Sequence, residues 1–141
     1  MMKIKFDMRL MKFMSLFQNI THSKIKDCID DGEKLVFIVE QGELFRALGK
    51  NAANLKRLEN KLKKKVRIIE FSPNKLSFIK KAIAPLKVED IEEDEETGVI
   101  TLKSNDTKTK GLLIGRAAKN LRNLEDLARR YFSDITEIKV S

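Results

Sequence analysis

The sequence predicts an α+β fold that this short chain contains twice, as two small domains. The stretches LGKNAANLKRLE (residues 48–59) and IGRAAKNLRNLE (residues 114–125) share a glycine, a following cation, an asparagine and leucines at matching positions. Around both copies, segments with helical spacing alternate with segments typical of strands. Gly49 and Gly115 are 66 positions apart in a chain of 141 residues, which favours two very small domains over one ordinary domain.

The residues around the first copy predict helix, strand, strand, short helix, glycine turn, helix and strand in that order. Asp7 is suited to cap a helix whose apolar stripe includes Leu10 and Phe17. The stretches KIKDCIDD and LVFIVEQ flank the turn residues DDGEK and predict a hairpin. ELFRAL predicts a short helix before Gly49, and the leucines of NLKRLENKL predict the next helix, before the strand VRIIEF.

The second half repeats this order more briefly. SPNKLSFIKKAIAP predicts a capped helix closed by Pro85, at the place where a connection between domains is expected. LKVEDIEEDEETGVITL predicts two strands around a Thr97-Gly98 turn, and DTKTKGLLI, AAKNLRNLEDLARRYF and ITEIKV predict a short helix, a longer helix and a closing strand. We therefore expect a first domain over residues 1–84, with the connecting helix at 74–84, and a second domain over residues 85–141.

The charge of the chain favours a polyanionic partner. Lysine and arginine total 29 against 21 acidic residues, which gives a net charge of +8. Residues 46–67 contain nine basic residues and one acid, whereas residues 89–96 contain seven acids. We interpret the acidic run as a solvated hairpin end, with a protein-contact patch as the alternative. The asymmetry predicts that the first domain binds phosphate more strongly than the second.

The composition also excludes several kinds of site. Cys28 cannot form an internal disulfide and His22 leaves no cluster of zinc-site spacing, so we expect no metal, no cofactor and a reducing, cytoplasmic setting. Charges interrupt MMKIKFDMRLMKFMSLF, which predicts neither a signal peptide nor a membrane span. Six residues separate Gly42 from Gly49 and Asn51 follows the lysine, which excludes a P-loop. We predict that the protein is not an enzyme, because no catalytic constellation is left.

The repeated stretch itself has the features of an anion site. A glycine between two helices permits a tight turn and the close approach of another backbone. The helix that follows directs unpaired amides and the positive end of its dipole toward the turn. Lys50 and Arg116 come directly after the glycines, although cations there oppose the helix dipole. Asn54 and Asn120 could bond backbone groups near the turn or contact a sugar or base.

These residues resemble those of a known family of RNA-binding domains. Helix, glycine turn, helix and strand, with LGKNAAN and IGRAAKN at the turn, look like the G-x-x-G loop of K-homology (KH) domains in the type II arrangement. Two such domains filling the chain are similar to the archaeal NusA-like transcription termination and antitermination proteins. The resemblance implies that each domain is a small three-stranded sheet packed by helices, and that the loop and adjacent strand bind about four nucleotides of single-stranded RNA.

The resemblance also implies a role as a transcription elongation, termination or antitermination factor. We expect single-stranded RNA as the partner, with RNA polymerase as a further candidate partner, no membrane association and a monomeric state. The predicted RNA-binding residues are Gly49, Lys50, Asn51, Ala52, Asn54, Lys56, Arg57, Gly115, Arg116, Ala117, Ala118, Lys119, Asn120 and Arg122.

Both loops depart from the family pattern, because Ala52 and Ala118 stand where the last glycine of G-x-x-G is expected. If this position needs a left-handed backbone, alanine costs on the order of 1 kcal/mol. If the position is already the first turn of the helix, alanine fits well. We favour the second interpretation, because alanine is a strong helix former and occurs in both copies.

Two other functions are alternatives to RNA binding. A protein-interaction module could dock on RNA polymerase or a ribosomal particle and bind RNA weakly or not at all. A helix-turn-helix protein that binds double-stranded DNA is less suitable, because each glycine here is followed by a helix and then a strand.

Overall fold

The computed structural model describes residues 7–141, which divide into two compact units with the boundary between Ser72 and Pro73. This boundary differs from the one predicted between residues 84 and 85. The helix expected to end the first domain belongs to the second unit, because its apolar side packs there. The Phe78 ring lies 5.4 Å from Tyr131 and 5.8 Å from Phe132, measured between ring centroids.

The first unit contains helices and a three-stranded sheet. Strand β2 lies between β1, to which it is antiparallel, and β3, to which it is parallel. The central position of β2 explains why LVFIV is buried throughout its length. The elements are α1 (Met8–Thr21), β1 (Ile25–Asp30), β2 (Lys34–Val39), α2 (Leu44–Leu48), α3 (Ala53–Leu62) and β3 (Lys65–Glu70).

Helix α1 covers the sheet of the first unit as its apolar spacing predicts. The Asp7 carboxylate accepts the backbone N–H groups of Arg9, at 2.9 Å, and Leu10, at 3.4 Å, and so caps the helix. Phe17 stacks on Phe37 of β2 with ring centroids 4.5 Å apart, and both rings are fully buried. The helix cap and the buried rings therefore position α1 on the sheet.

The second unit has the same sheet topology. Strand β5 lies between β4, to which it is antiparallel, and β6, to which it is parallel. Buried isoleucine and leucine side chains of β5 and β6 form part of its core. The elements are α4 (Lys75–Ile83), β4 (Asp90–Asp94), β5 (Val99–Lys103), α5 (Thr107–Ile114), α6 (Lys119–Tyr131) and β6 (Glu137–Val140). The predicted α+β fold class, with a three-stranded sheet and helices in each unit, is confirmed.

The acidic run of the second unit forms strand β4 and the hairpin turn that follows, as predicted. Part of its charge is neutralised within the unit. Lys75 forms ion pairs with Glu93 and Asp134, and the side-chain hydrogen bonds to these carboxylates raise the pKa of Lys75. Lys103 pairs with Glu92 at 2.9 Å. The remaining carboxylates of the run face solvent for the most part.

Candidate nucleic-acid interface

The first loop joins α2 to α3 through a backbone that leaves the right-handed helical region three times. Gly49 has φ 74° and ψ 173°, Asn51 has φ 55° and ψ 33°, and Ala52 has φ 57° and ψ 31°. Helix α3 begins only at Ala53, where φ returns to −61°. The turn therefore occupies all four residues of the expected loop, Gly49 to Ala52.

The second loop, between α5 and α6, has the same backbone. Gly115 has φ 75° and ψ 175°, Ala117 has φ 53° and ψ 31°, and Ala118 has φ 60° and ψ 23°. Helix α6 begins at Lys119. The sequence repeat is thus a repeat of one loop conformation.

The left-handed alanines correct one prediction from the sequence. Ala52 and Ala118 were expected in the first turn of the following helix, where alanine is favoured. Both instead have positive φ, as a glycine would at the same place. A left-handed alanine costs about 1 to 2 kcal/mol. The turn imposes this conformation, and helical propensity does not decide it.

The equal spacing of glycine and asparagine in the two copies has a steric and hydrogen-bonding explanation. The Asn54 side-chain amide donates to the Arg46 carbonyl at 3.3 Å, and the Asn120 amide donates to the Leu112 carbonyl at 2.9 Å. Each amide satisfies a carbonyl near the end of the preceding helix. Both asparagines therefore have the structural role that the sequence left open, and their contact with RNA stays a prediction.

The glycines leave room for these asparagine side chains. A Cβ at Gly49 would lie 2.9 Å from the Asn54 side chain, and a Cβ at Gly115 would lie 2.6 Å from that of Asn120. The backbone region with φ near 75° and ψ near 175° is also essentially restricted to glycine. Glycine is required at both positions for two independent reasons.

The hydrogen bonds within the first loop do not use its first two amides after the glycine. The Ala52 N–H donates to the Gly49 carbonyl at 3.1 Å, and the Ala53 N–H donates to the Lys50 carbonyl. The N–H groups of Lys50 and Asn51 take part in neither bond. A turn that enters the left-handed region directs successive N–H groups toward one concave side, which is a known geometry for binding anions.

The start of the following helix adds to this positive potential. Alanine at the cap position of α3 and of α6 has no side-chain acceptor, and neither helix has a side-chain cap. The first amide of each helix, at Ala53 and at Lys119, donates to the carbonyl of Lys50 or Arg116, and the amides that follow have no side-chain cap and are left to solvent or to a ligand. In a protein that carries cations at the same place, an external anion would stabilise both helix ends.

The predicted cations lie on the exposed surface of the loops and helices. Lys50 and Arg116 are exposed at the turns, Lys56 and Arg57 are exposed on α3, and Lys119 and Arg122 are exposed on α6. The opposite faces of the helices are apolar, where Leu58 and Leu124 are buried. The structure therefore brings the predicted cations of each unit to its own loop and to the outer face of the helix that follows.

One residue beside the first loop was not predicted from the sequence. Phe45 of α2 is 87% exposed, whereas Ala47 of the same short helix is fully buried. The Phe45 carbonyl accepts the Gly49 N–H at 3.0 Å, so Phe45 lies one helical turn before the loop. The signal was present in ELFRAL, because a helix that buries Ala47 turns Phe45 away from the core.

The described residues contain neither a metal-binding cluster nor a membrane-spanning helix, and Cys28 is buried. Within residues 7–141, no cluster of three or more His, Cys, Asp or Glu side chains could hold a metal ion. Over the same residues, no helix combines the length and the apolar character that crossing a membrane requires. Burial raises the pKa of the Cys28 thiol to about 12, and the charge of Asp27 adds to the effect, so this thiol stays protonated and unreactive.

Two three-stranded α+β units, each with a glycine turn between two helices, define a tandem KH-like protein. No family model matches the chain. Individual relatives do. The chain is 31% identical over 140 residues to the probable transcription termination protein NusA of Methanococcus vannielii, covering 99% of this chain and 80% of the relative. It is 32% identical over 142 residues to the probable transcription termination protein NusA of Methanocaldococcus jannaschii, covering 99% of this chain and 76% of that relative.

A more distant relative and a solved structure agree with these matches. The probable transcription termination protein NusA of Halococcus morrhuae is 26% identical, with 99% of this chain and all of the relative covered. The crystal structure of APE1850 is 25% identical with a TM-score of 0.77, covering 96% of this chain and 100% of that one. The chain belongs to the family of archaeal NusA-like transcription termination proteins, and the predicted family is confirmed. The relatives carry the name of a transcription factor and not that of an enzyme.

Proposed function

We propose that this NusA-like protein acts in transcription by binding single-stranded RNA through the loops Gly49–Ala52 and Gly115–Ala118. The observation that carries the proposal is the recurrence of one unusual backbone, in two places, with an exposed cation directly after the glycine each time. A strained turn that occurs twice with a cation at the same position, Lys50 or Arg116, indicates a shared ligand, because packing alone does not require an exposed cation there.

The proposed mechanism is non-catalytic and has two parts. In each unit, the amides at the turn and the adjacent lysine or arginine hold a phosphate of the RNA backbone. The cations of α3 and α6 contact neighbouring phosphates, while the apolar edge beside the loop accepts bases. By holding the nascent RNA strand, the protein acts as a transcription elongation, termination or antitermination factor. RNA polymerase is a candidate partner, and the protein is expected to act as a cytoplasmic monomer.

The second candidate function is protein docking with weak RNA binding. One observation favours it for the second unit, where the exposed carboxylates of β4 and its hairpin turn would repel a polyanion and attract a basic protein surface. RNA polymerase or a ribosomal particle would then be the partner.

The first test replaces both residues after Gly49 with aspartates. The double variant Lys50→Asp, Asn51→Asp removes a cation and places two negative charges where a phosphate is proposed. We expect loss of binding to a short single-stranded oligoribonucleotide, measured by fluorescence anisotropy, with an unchanged circular dichroism spectrum. Lys12→Asp with Ser15→Asp is the matched control, because it changes the net charge equally on the exposed face of α1.

The salt dependence of wild-type binding separates the two candidate functions. Electrostatic binding to single strands lowers log affinity with log salt at a slope of about −0.7 per phosphate neutralised. No binding of the wild type at low salt, or equal affinity of the loop variant and the wild type, would contradict the RNA proposal and leave protein docking.

A further inference from the structure

Phe45 is the most exposed of the large apolar side chains within residues 7–141, at 87%. Isolated exposed apolar residues are ordinary on protein surfaces, so exposure alone indicates nothing. The location of this ring is informative. The Phe45 carbonyl accepts the Gly49 N–H at 3.0 Å, so Phe45 lies one helical turn before the proposed phosphate loop.

The residues around Phe45 include two exposed cations. Arg46 and Lys50, the residues beside it and at the loop, are both exposed cations. Proteins that bind single strands combine cations that hold the backbone with aromatic rings on which bases stack. A phenylalanine is suited to this contact, because its flat apolar face makes no hydrogen bond that would restrict the base.

The second unit provides an internal comparison. At the position equivalent to Phe45 it has Gly111, whose carbonyl accepts the Gly115 N–H at 2.9 Å. The two helices therefore approach their loops in the same way, but only the first carries a ring. A Cβ at Gly111 would meet no atom within 4 Å, so no steric restriction explains the absence of a side chain there.

We propose that Phe45 stacks on a base of the strand whose phosphate is held by the first loop, and that the second unit lacks this contact. The inference rests on the proposed RNA-binding function and deepens it. The first unit then holds a base and a phosphate together, whereas the loop of the second unit holds phosphate without an aromatic partner. The ligand class is any unpaired nucleotide, because every base has a face on which a ring can stack.

The test compares Phe45→Ala with the wild type on two oligoribonucleotides of equal length, one normal and one abasic. On the normal strand, we expect Phe45→Ala to lower affinity by about 5- to 150-fold, the range for loss of one base stack. On the abasic strand, which keeps the phosphates, the two proteins should bind equally. Phe45→Leu should resemble Phe45→Ala and Phe45→Tyr should resemble the wild type, which separates stacking from simple apolar contact.

A direct signal is available because the sequence contains no tryptophan. Phe45→Trp places the sole indole on the proposed platform, and its fluorescence should be quenched by the normal strand and not by the abasic one. Met8→Trp is the matched control, since Met8 is also strongly exposed, at 70%, but lies on α1. Its fluorescence should not respond to either strand.

Transfer of the ring to the second unit completes the test. Gly111→Phe in the wild type should raise affinity for the normal strand. Combined with Phe45→Ala, it should partly restore the RNA affinity that Phe45→Ala loses. If the wild type binds RNA but Phe45→Ala binds each of the two strands as tightly as the wild type does, the stacking proposal is wrong and the loop proposal stands. If Phe45→Ala weakens binding to RNA polymerase alone, the ring belongs to a protein interface, and stacking is again excluded. If the wild type binds no RNA at low salt, both proposals are wrong.

Discussion

At the scale of single residues, the glycine and the asparagine of the repeated motif form and stabilise a turn, and neither is needed as a ligand to explain the repeat. From the sequence, the hydrogen-bonding role of its asparagine was one of two open interpretations, and its glycine was recognisable as a turn residue. The left-handed alanines were not, because local propensity assigns alanine to a helix. A Cβ at Gly49 would lie 2.9 Å from the Asn54 side chain, and two of the residues between them, Asn51 and Ala52, have positive φ. Such a constraint belongs to the turn as a whole and leaves no sign in any one residue.

The strain at these alanines leads to the first prediction. Ala52→Gly and Ala118→Gly should each raise the free energy of unfolding by about 0.5 to 1 kcal/mol, because removal of left-handed strain exceeds the entropy that glycine adds to the unfolded chain. Urea denaturation of each variant measures the change. Ala53→Gly is the matched control, since Ala53 has φ −61° and glycine there should lower stability instead. Destabilisation by all three substitutions would contradict the strain argument.

At the scale of elements, hydrophobic periodicity predicted the helices and strands well, and the hairpins followed from their turn residues. The unit to which α4 belongs could not be predicted from the sequence in the same way. Its spacing shows which face is apolar, but not which of two sheets that face covers. The fully buried Phe78 and its contacts with Tyr131 and Phe132 decide the question only in three dimensions.

The assignment of α4 to the second unit has a measurable consequence. Phe78→Ala should lower the stability of that unit by about 3 to 5 kcal/mol, the usual cost of truncating a buried phenylalanine. In hydrogen exchange, amides of β5 (Val99–Lys103) should lose protection, while those of β2 (Lys34–Val39) should keep theirs. Phe17→Ala, which truncates a ring buried against β2, is the matched variant with the opposite expected pattern. If Phe78→Ala instead reduced the hydrogen-exchange protection of the β2 amides alone, α4 would have to be assigned to the first unit.

Strand β1 contains a group whose pKa is strongly shifted, the Cys28 thiol. Burial, with the charges of Asp27 and Asp30, raises the pKa of Cys28 from 9.0 to about 12 in the folded chain. Below pH 9 the thiol is neutral in both states and its contribution to stability is fully present. As the pH rises above 9, the unfolded chain ionises first and stability is lost, by about 1.4 kcal/mol at pH 10.

The variant Cys28→Ala isolates this effect. It lacks the titrating group, so its free energy of unfolding should fall less steeply between pH 8 and pH 10 than that of the wild type. Urea denaturation at several pH values provides the comparison, and the constant cost of the smaller side chain cancels in the slopes. Parallel slopes for the two proteins would show that the thiol titrates normally in the folded state.

At the scale of the whole molecule, charge is divided unequally between the two units. The first unit, residues 1–72, has 16 lysines and arginines against 9 acidic residues, a net charge of +7. The second, residues 73–141, has 13 against 12, a net charge of +1. The sequence predicted this direction of asymmetry from residues 46–67 and 89–96. Nearly all of the long-range attraction for a polyanion therefore originates in the first unit.

This asymmetry predicts unequal effects of equivalent loop substitutions. Lys50→Asp with Asn51→Asp and Arg116→Asp with Ala117→Asp change the net charge by the same amount at the same backbone positions. We expect the first pair to abolish binding and the second to weaken it by about tenfold, with a salt slope reduced by about 0.7 for each phosphate that the variant no longer neutralises. Anisotropy titrations from low to physiological salt measure both quantities. Because the loops share one conformation, a difference between the pairs reports the surrounding charge and the adjacent aromatic ring. Equal losses would show instead that the loops contribute alike and that neither the surrounding charge nor the ring distinguishes them.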